Sequence, residues 1–303
     1  MNRLLITGGA GFIGSRLVRR LCKQGFSITV LDNYSKPGAD DFSDISDRIT
    51  VVRADIRDSE TVNSALKNAD AVIHLAAMVS VQESLKKPAE CFAINVQATE
   101  NIINECARRN IKFIFASSAA VYGNQEDAIV TERVTPRPIS PYGESKLKVE
   151  EICKKTPKLN FVCLRQFNVY GPKQTINYAY ASVVPQFLHA ARTNKPLIIY
   201  GDGEQTRDFI HIDDIVNAYI KSIQSDVKGI FNVGTGTTCT INQLATLIIA
   251  ATQSKSKVIK KKARDADIKR SQPSIKAFCE ATQWRPTATI EHGIFALSLQ
   301  ADV

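Results

Sequence analysis

The sequence predicts an α/β fold, a doubly wound parallel sheet with a smaller α+β domain after it. Three observations predict it: a glycine-rich turn at residues 8–14, strand–helix alternation through the first half, and a change of rhythm after about residue 165. Leu4–Thr7 reads as a strand and Gly14–Lys23 as a helix. Ser27–Leu31, Ile49–Arg53 and Ala71–Leu75 read as further strands. Ala89–Arg109 reads as one long helix and Lys112–Ser117 as another strand. Such alternation implies parallel strands with helices on both faces, and right-handed crossovers make the sheet doubly wound. Beyond about residue 165, Pro172, Pro185, Pro196, Gly201 and Gly203 break the chain into shorter elements. Phe209–Ile212 and Gly229–Val233 read as strands, and Asp213–Ile223 is expected to return onto the first domain. The expected division is a first domain over 1–170, with a return of about 208–230, and a substrate domain over 171–303.

Composition excludes several classes. The chain has 303 residues, 44% hydrophobic and 23% charged, which is neither disordered nor fibrous. The N-terminus runs straight into a strand, so no signal peptide is expected. The apolar stretch Ala71 to Val79 is far too short to span a bilayer, so no membrane partner is expected. Seven cysteines, odd in number and without a C-x-x-C pair, read as reduced thiols of a cytoplasmic protein with no metal site. The net charge of +9 gathers in part at Lys255, Lys257, Lys260, Lys261, Lys262 and Arg264. No nucleic-acid reading motif accompanies it, and an anionic small molecule suits that sign better.

The turn reads Gly8-Gly9-Ala10-Gly11-Phe12-Ile13-Gly14, which satisfies G-x-G-x-x-G from Gly9 and G-x-x-G-x-x-G from Gly8. A strand precedes it and a helix follows, the context of a Rossmann dinucleotide site. Glycines permit the tight turn and close approach of a pyrophosphate, and the helix N-terminus offers free N–H groups. Asp32 closes the second strand. A carboxylate there accepts from the adenosine ribose hydroxyls and repels a 2′-phosphate, which favours NAD over NADP. Asp55 and Ile56, after the third strand, are expected near the adenine.

Tyr142 and Lys146 stand four apart near the start of a helix, on one face. An ammonium beside a phenol lowers its pKa, so Tyr142 is the expected general base. Ser117-Ser118 end the strand Lys112–Ser117, where open parallel sheets bind ligands. Ser118 is the expected partner of the reacting oxygen.

With these motifs in order, the chain resembles the extended short-chain dehydrogenase/reductases, in the NAD-dependent epimerase/dehydratase group. The resemblance runs nearly end to end. It includes Leu31-Asp32-Asn33, His74-Leu75-Ala76-Ala77, Ala116 to Gly123, Pro141 to Lys146, Phe167 to Pro172, Tyr200 to Phe209 and Phe231 to Gly234. It implies Ser118, Tyr142 and Lys146 as the catalytic set. It implies NAD contacts from Gly8, Gly11, Phe12, Ile13, Gly14, Asp32, Asn33, Asp55, Ile56, Leu75, Ala76, Ala77, Asn95, Ser117, Tyr142 and Lys146. It implies a UDP-sugar partner held by Ser118, Tyr142, Asn168, Val184, Tyr200, Arg207, Arg264, Asp267 and Ser271. Asn168, Arg207 and Arg264 would face the diphosphate, Asp267 the uridine ribose, and Tyr200 the uracil.

Relatives that dehydrate carry an acidic pair after the catalytic Ser or Thr; Ala119-Ala120 follow here, which matches the 4-epimerase pattern. By the same resemblance Ser271 occupies a pocket-wall position, where a small residue leaves room for a 2-N-acetyl group. Gln166 departs from the aromatic residue that relatives usually carry, near the expected nicotinamide face. A 4-keto reductase using the same triad with external NAD(P)H, or a decarboxylase, is the alternative. His74 and His211 are read as structural. Relatives commonly pair two helices from each subunit, so a homodimer through Ala89–Arg109 and Tyr142–Lys155 is expected.

Overall fold

The computed structural model describes residues 2–125, 129–175, 182–263 and 268–300. The first half runs β1 (Arg3–Thr7), α1 (Phe12–Lys23), β2 (Ser27–Asp32), β3 (Ile49–Arg53), α2 (Ser59–Ala65), β4 (Ala71–His74), α3 (Val81–Lys86), α4 (Pro88–Phe92), α5 (Ala98–Arg109), β5 (Lys112–Ser118) and α6 (Pro141–Lys155). The second half runs β6 (Phe161–Gln166), β7 (Asn168–Tyr170), α7 (Val183–Arg192), β8 (Leu197–Tyr200), β9 (Thr206–Arg207), β10 (Phe209–His211), α8 (Ile212–Gln224), β11 (Gly229–Val233), β12 (Cys239–Thr240), α9 (Ile241–Thr252), β13 (Val258–Lys261), α10 (Lys276–Thr282) and α11 (Ile290–Ser298).

Seven strands form one sheet in the order β11-β6-β5-β4-β1-β2-β3, every neighbouring pair parallel. The order reverses between β1 and β4. Open α/β sheets bind ligands at such a switch point, beyond the strands' C-terminal ends. The strands are apolar on both faces because helices cover both: Leu4, Leu5 and Ile6 of β1 are all buried. One core joins α1, through Leu17, Val18 and Leu21, to α8, through Ile215, Tyr219 and Ile223. The opposite core takes Ile102 and Ile103 of α5 and Val149 and Cys153 of α6. A third core, built from α7, β8, α9 and α11, includes Phe187, Ile199, Leu244 and Ile294.

The chain returns to the first core twice after leaving it. α8 packs on α1, where Arg16 grips the Asp213 carboxylate through two bonds of 2.5 and 2.8 Å. The C-terminal segment comes back over α8. The buried Asp214 carboxylate accepts from Thr287 N–H, Thr287 Oγ1 and Ala288 N–H, and Trp284 Nε1 donates to the Asp214 carbonyl.

The stretch expected as one helix over Ala89–Arg109 is interrupted. A π-helical turn, Ala93–Gln97, lies between α4 and α5. Its cause is tertiary: Asn95 is drawn toward the loop after β4 and toward α6, as described below. The seven cysteines are unpaired, and six are buried. Among the described residues no helix is long and apolar enough to cross a membrane.

Candidate active site

Gly8 follows β1 at φ +67°, and a Cβ there would lie 2.6 Å from the Ala76 amide nitrogen. The turn after β1 and the loop after β4 are thus in backbone contact at the switch point. Gly14 lies against Gly8 and Gly9, where a Cβ would meet the Gly8 carbonyl at 2.4 Å. Gly11 caps α1 without a side chain, so the helix's first N–H groups have no side-chain partner. Phe12, Ile13, Leu75, Ala76 and Ala77 are half-buried around this floor.

Asp32 accepts from Ala10 N–H at 3.0 Å and Tyr34 N–H at 2.8 Å, which orients the carboxylate and leaves lone pairs for a diol. Asn33 Nδ2 donates to Asp55 at 3.0 Å, and Arg57 holds the Asp55 carboxyl far below the usual carboxylate range. Ile56 is buried in the core with Leu5 and Leu31.

Ser118 ends β5, its Oγ accepting from Ala120 N–H at 3.1 Å and standing close enough to the Tyr142 phenol to favour its charged form. Tyr142 stands in the first turn of α6, which Ser140 caps through Gly143 N–H and Pro141 opens. Lys146 is buried one turn on. Its Nζ donates to the Ala116 carbonyl at 2.8 Å and lies 5.7 Å from the Tyr142 ring centre. Burial pulls the lysine down to about 8. The expected depression of the phenol by Lys146 is not what the protein alone produces: burial pushes Tyr142 up, and the neighbouring Ser118 pulls the other way.

Two expected cofactor residues are engaged elsewhere. Ser117 Oγ donates to Glu150 at 2.6 Å and is buried. Side chains alternate along a strand, so when Ser118 faces Tyr142 its neighbour faces the other side. Asn95 is buried and fully used: its Oδ1 accepts from Met78 N–H at 2.8 Å. Its Nδ2 donates to the Met78 carbonyl and Ser145 Oγ, both at 3.0 Å. It therefore ties the β4 loop to α6 rather than presenting a free amide. His74 is buried between Thr7 and Thr99, each within 2.9 Å of a ring nitrogen, and burial lowers it to about 3.

The substrate-side residues partly converge. Asn168 and Ser271 both bind the Asp208 backbone: Asp208 O accepts from Asn168 N–H at 3.0 Å, and Asp208 N–H donates to Ser271 O at 3.2 Å. Arg207 precedes them on β9, half-buried, with Nη1 donating to the Thr206 carbonyl. Tyr200 closes β8, and its carbonyl accepts from Gln205 Nε2. Val184 is the exception, its side chain buried in the third core. Arg264 and Asp267 lie outside the described residues.

The sequence reading missed Asp208 itself. Its buried carboxylate accepts from Thr235 N–H and Gly236 N–H at 2.7–2.9 Å, and burial pushes it up to about 6. Gly234 makes room, since a Cβ would come within 3.0 Å of Asp208 Oδ2. Contact between residues 208 and 235 has no local spacing signature. Gln166, the departure noted above, donates through Nε2 to the buried Tyr219 hydroxyl and pairs in register with Ser118. Among the described residues no group of three or more acidic, histidine or cysteine side chains could hold a metal ion.

The NAD dependent epimerase/dehydratase family model matches residues 4–234. The chain belongs to this family. As a member it uses NAD, and the glycine cradle with Asp32 fits the pyrophosphate and a ribose diol of that cofactor. It is 35% identical over 299 residues to a putative UDP-glucose 4-epimerase of Methanocaldococcus jannaschii, covering 96% of this chain and 95% of that protein. It is 32% identical over 307 residues to a UDP-N-acetyl-α-D-glucosaminuronate decarboxylase of Bacillus cytotoxicus, covering 97% and 95%. Among solved structures it is similar to the UDP-N-acetylglucosamine 4-epimerase of Methanobrevibacter ruminantium. The two are 33% identical with a TM-score of 0.90, covering 99% of each chain.

Proposed function

We propose that this family member is a UDP-sugar 4-epimerase that accepts UDP-N-acetylhexosamines, UDP-hexoses or both. The observation that carries the reading is the pair Ser118–Tyr142 at the sheet's C-terminal edge, with Lys146 beneath it and Ala119-Ala120 beside it. Tyr142, as the phenolate, takes the proton of the sugar C4 hydroxyl, and Ser118 hydrogen-bonds the same oxygen. NAD, when bound, supplies the hydride acceptor for C4 and then the donor. The resulting 4-keto sugar turns over in the pocket and receives hydride on its other face. Tyr142 then returns its proton to the C4 oxygen, which makes the new hydroxyl. Lys146 supplies positive charge under the phenol, and proton transfer by a placed side chain is worth roughly 10²–10⁴ in rate. No carboxylate follows Ser118 to protonate a leaving C6 hydroxyl, which speaks against dehydration.

Asn168, Arg207 and Arg264 face the diphosphate in this reading, with Asp267 at the uridine ribose and Tyr200 at the base. The adjacency of Ser271 to Asp208 and Arg207 supports its place in the sugar pocket, where its small side chain admits a 2-N-acetyl group. The cytoplasm as compartment and a homodimer through α5 and α6 complete the proposal.

A decarboxylase is the second reading, favoured by the Bacillus cytotoxicus relative. The same C4 oxidation makes a 6-uronate a β-keto acid, which loses carbon dioxide. Mass spectrometry of products separates the two. UDP-GlcNAc converted to an isomer of unchanged mass supports the epimerase. Loss of carbon dioxide from the uronate, with UDP-GlcNAc and UDP-Glc untouched, would overturn it.

A further inference from the structure

Five buried side chains form one continuous hydrogen-bonded chain behind the site. Ser117 Oγ donates to Glu150 Oε1 at 2.6 Å. Arg165 grips the Glu150 carboxylate with Nε and Nη2 at 2.9 and 2.6 Å. Arg165 Nη1 donates to the Tyr122 hydroxyl at 2.9 Å, and Tyr122 donates on to Asn232 Oδ1 at 2.6 Å. None of the five is more than 3% exposed. Burial pushes the Tyr122 phenol up to about 12, so it keeps the proton that it donates.

The two ends of this chain meet different parts of the site. At one end Ser117 adjoins Ser118, and Glu150 stands on α6 one turn beyond Lys146 and two beyond Tyr142. At the other, Asn232 Nδ2 donates to the carbonyls of Val130 at 3.0 Å and Ser274 at 3.2 Å. Val130 in turn bonds Gln272 and Ser274 through its own backbone, so Asn232 anchors the strap 271–274. That strap begins at Ser271. A buried ion pair gains little stability, because desolvation offsets most of its attraction. A bidentate Arg–carboxylate pair instead sets distance and angle.

We propose that Glu150, Arg165 and Tyr122 are positioning residues that hold the strap 271–274, and so the pocket wall at Ser271, in a set place relative to Ser118 and Tyr142. The inference rests on the nucleotide-sugar reading for its substrate but not for its geometry. Misplacement of a reactant by about 1 Å can cost about 10²-fold in rate, so a wall tied to the catalytic pair matters to a sugar that must turn over between two hydride transfers.

Two deletions of a single oxygen test it in the full-length enzyme. Tyr122→Phe cuts the link to the strap and is expected to raise KM for UDP-GlcNAc about tenfold, with kcat falling by less than about threefold. Ser117→Ala cuts the link at the catalytic end and is expected to lower kcat about tenfold, with KM changing by less than about threefold. A lowered Tm with both constants unaltered, or the same change in both variants, would overturn the proposal. If the unmodified enzyme turned over neither UDP-GlcNAc nor UDP-Glc, the sugar reading itself would fall. Calorimetric titration with UDP would then decide the coupling. Binding at least about fivefold weaker in Tyr122→Phe supports it, and equal binding overturns it.

Discussion

Tyr142 and Lys146 carry the proposed chemistry at the scale of single residues. Tyr142→Phe is expected to keep the fold and bound NAD while turnover falls by at least about 10²-fold, since the proposed base is gone. Equal turnover in a steady-state assay would remove Tyr142 from the mechanism. Lys146 is buried, and burial lowers it from its usual 10.5 to about 8. The unfolded chain therefore binds more protons than the folded one between about pH 8 and 10.5. The lysine's cost is fully present below that window and is relieved as pH rises through it. At pH 7 that cost is up to about 3 kcal/mol, so Lys146→Met is expected to raise Tm while abolishing turnover. The Tm gap between variant and parent should close between pH 8 and 10.5. A gap independent of pH, or a lower Tm in the variant, would show that the Ala116 bond outweighs the buried charge. Ser117 and Ser118 show where reading single residues stops. The sequence marks both at a strand end, but only the pleat decides that one meets Glu150 and the other Tyr142.

At the scale of elements, the β1 turn, α1 and the loop after β4 act as a unit. The glycine turn was legible because its constraint is local: Gly8 needs positive φ and Gly14 needs absent Cβ atoms. Gly8→Ala brings a Cβ onto the Ala76 backbone in a conformation that alanine avoids. The variant is expected to purify with less than about a tenth of the parent's NAD, read from absorbance after acid release. Full NAD content would show that the two loops part easily. The π turn at Ala93–Gln97 was not legible. It arises because Asn95 satisfies Met78 and Ser145 at once, a tertiary demand that helical periodicity does not carry.

Over the whole molecule, alternating strands and helices specified the parallel sheet. The path back onto it needed the structure. α8 closes on α1 through Arg16 and Asp213, and Asp214 clasps the segment around Thr287. These partners lie far apart in sequence and share no motif. The same holds for Asp208, Asn168 and Ser271, which three separate segments bring to one place. That convergence gives the specificity prediction its footing. Ser271→Tyr is expected to lower kcat/KM for UDP-GlcNAc at least about tenfold more than for UDP-Glc, because the ring fills the space an N-acetyl group needs. Equal loss on both sugars would take Ser271 out of the pocket wall.

The proposed reaction is C4 epimerisation with a cofactor that is regenerated in place. Proton NMR of purified protein, with no cofactor added, tests it most directly when UDP-GlcNAc and UDP-Glc are offered separately and the anomeric and H4 signals are followed. Signals of the GalNAc or Gal epimer are expected to grow to a constant ratio. Unchanged sugar signals, together with turnover of a 4-keto sugar only when NAD(P)H is supplied, would contradict it and make the enzyme a reductase.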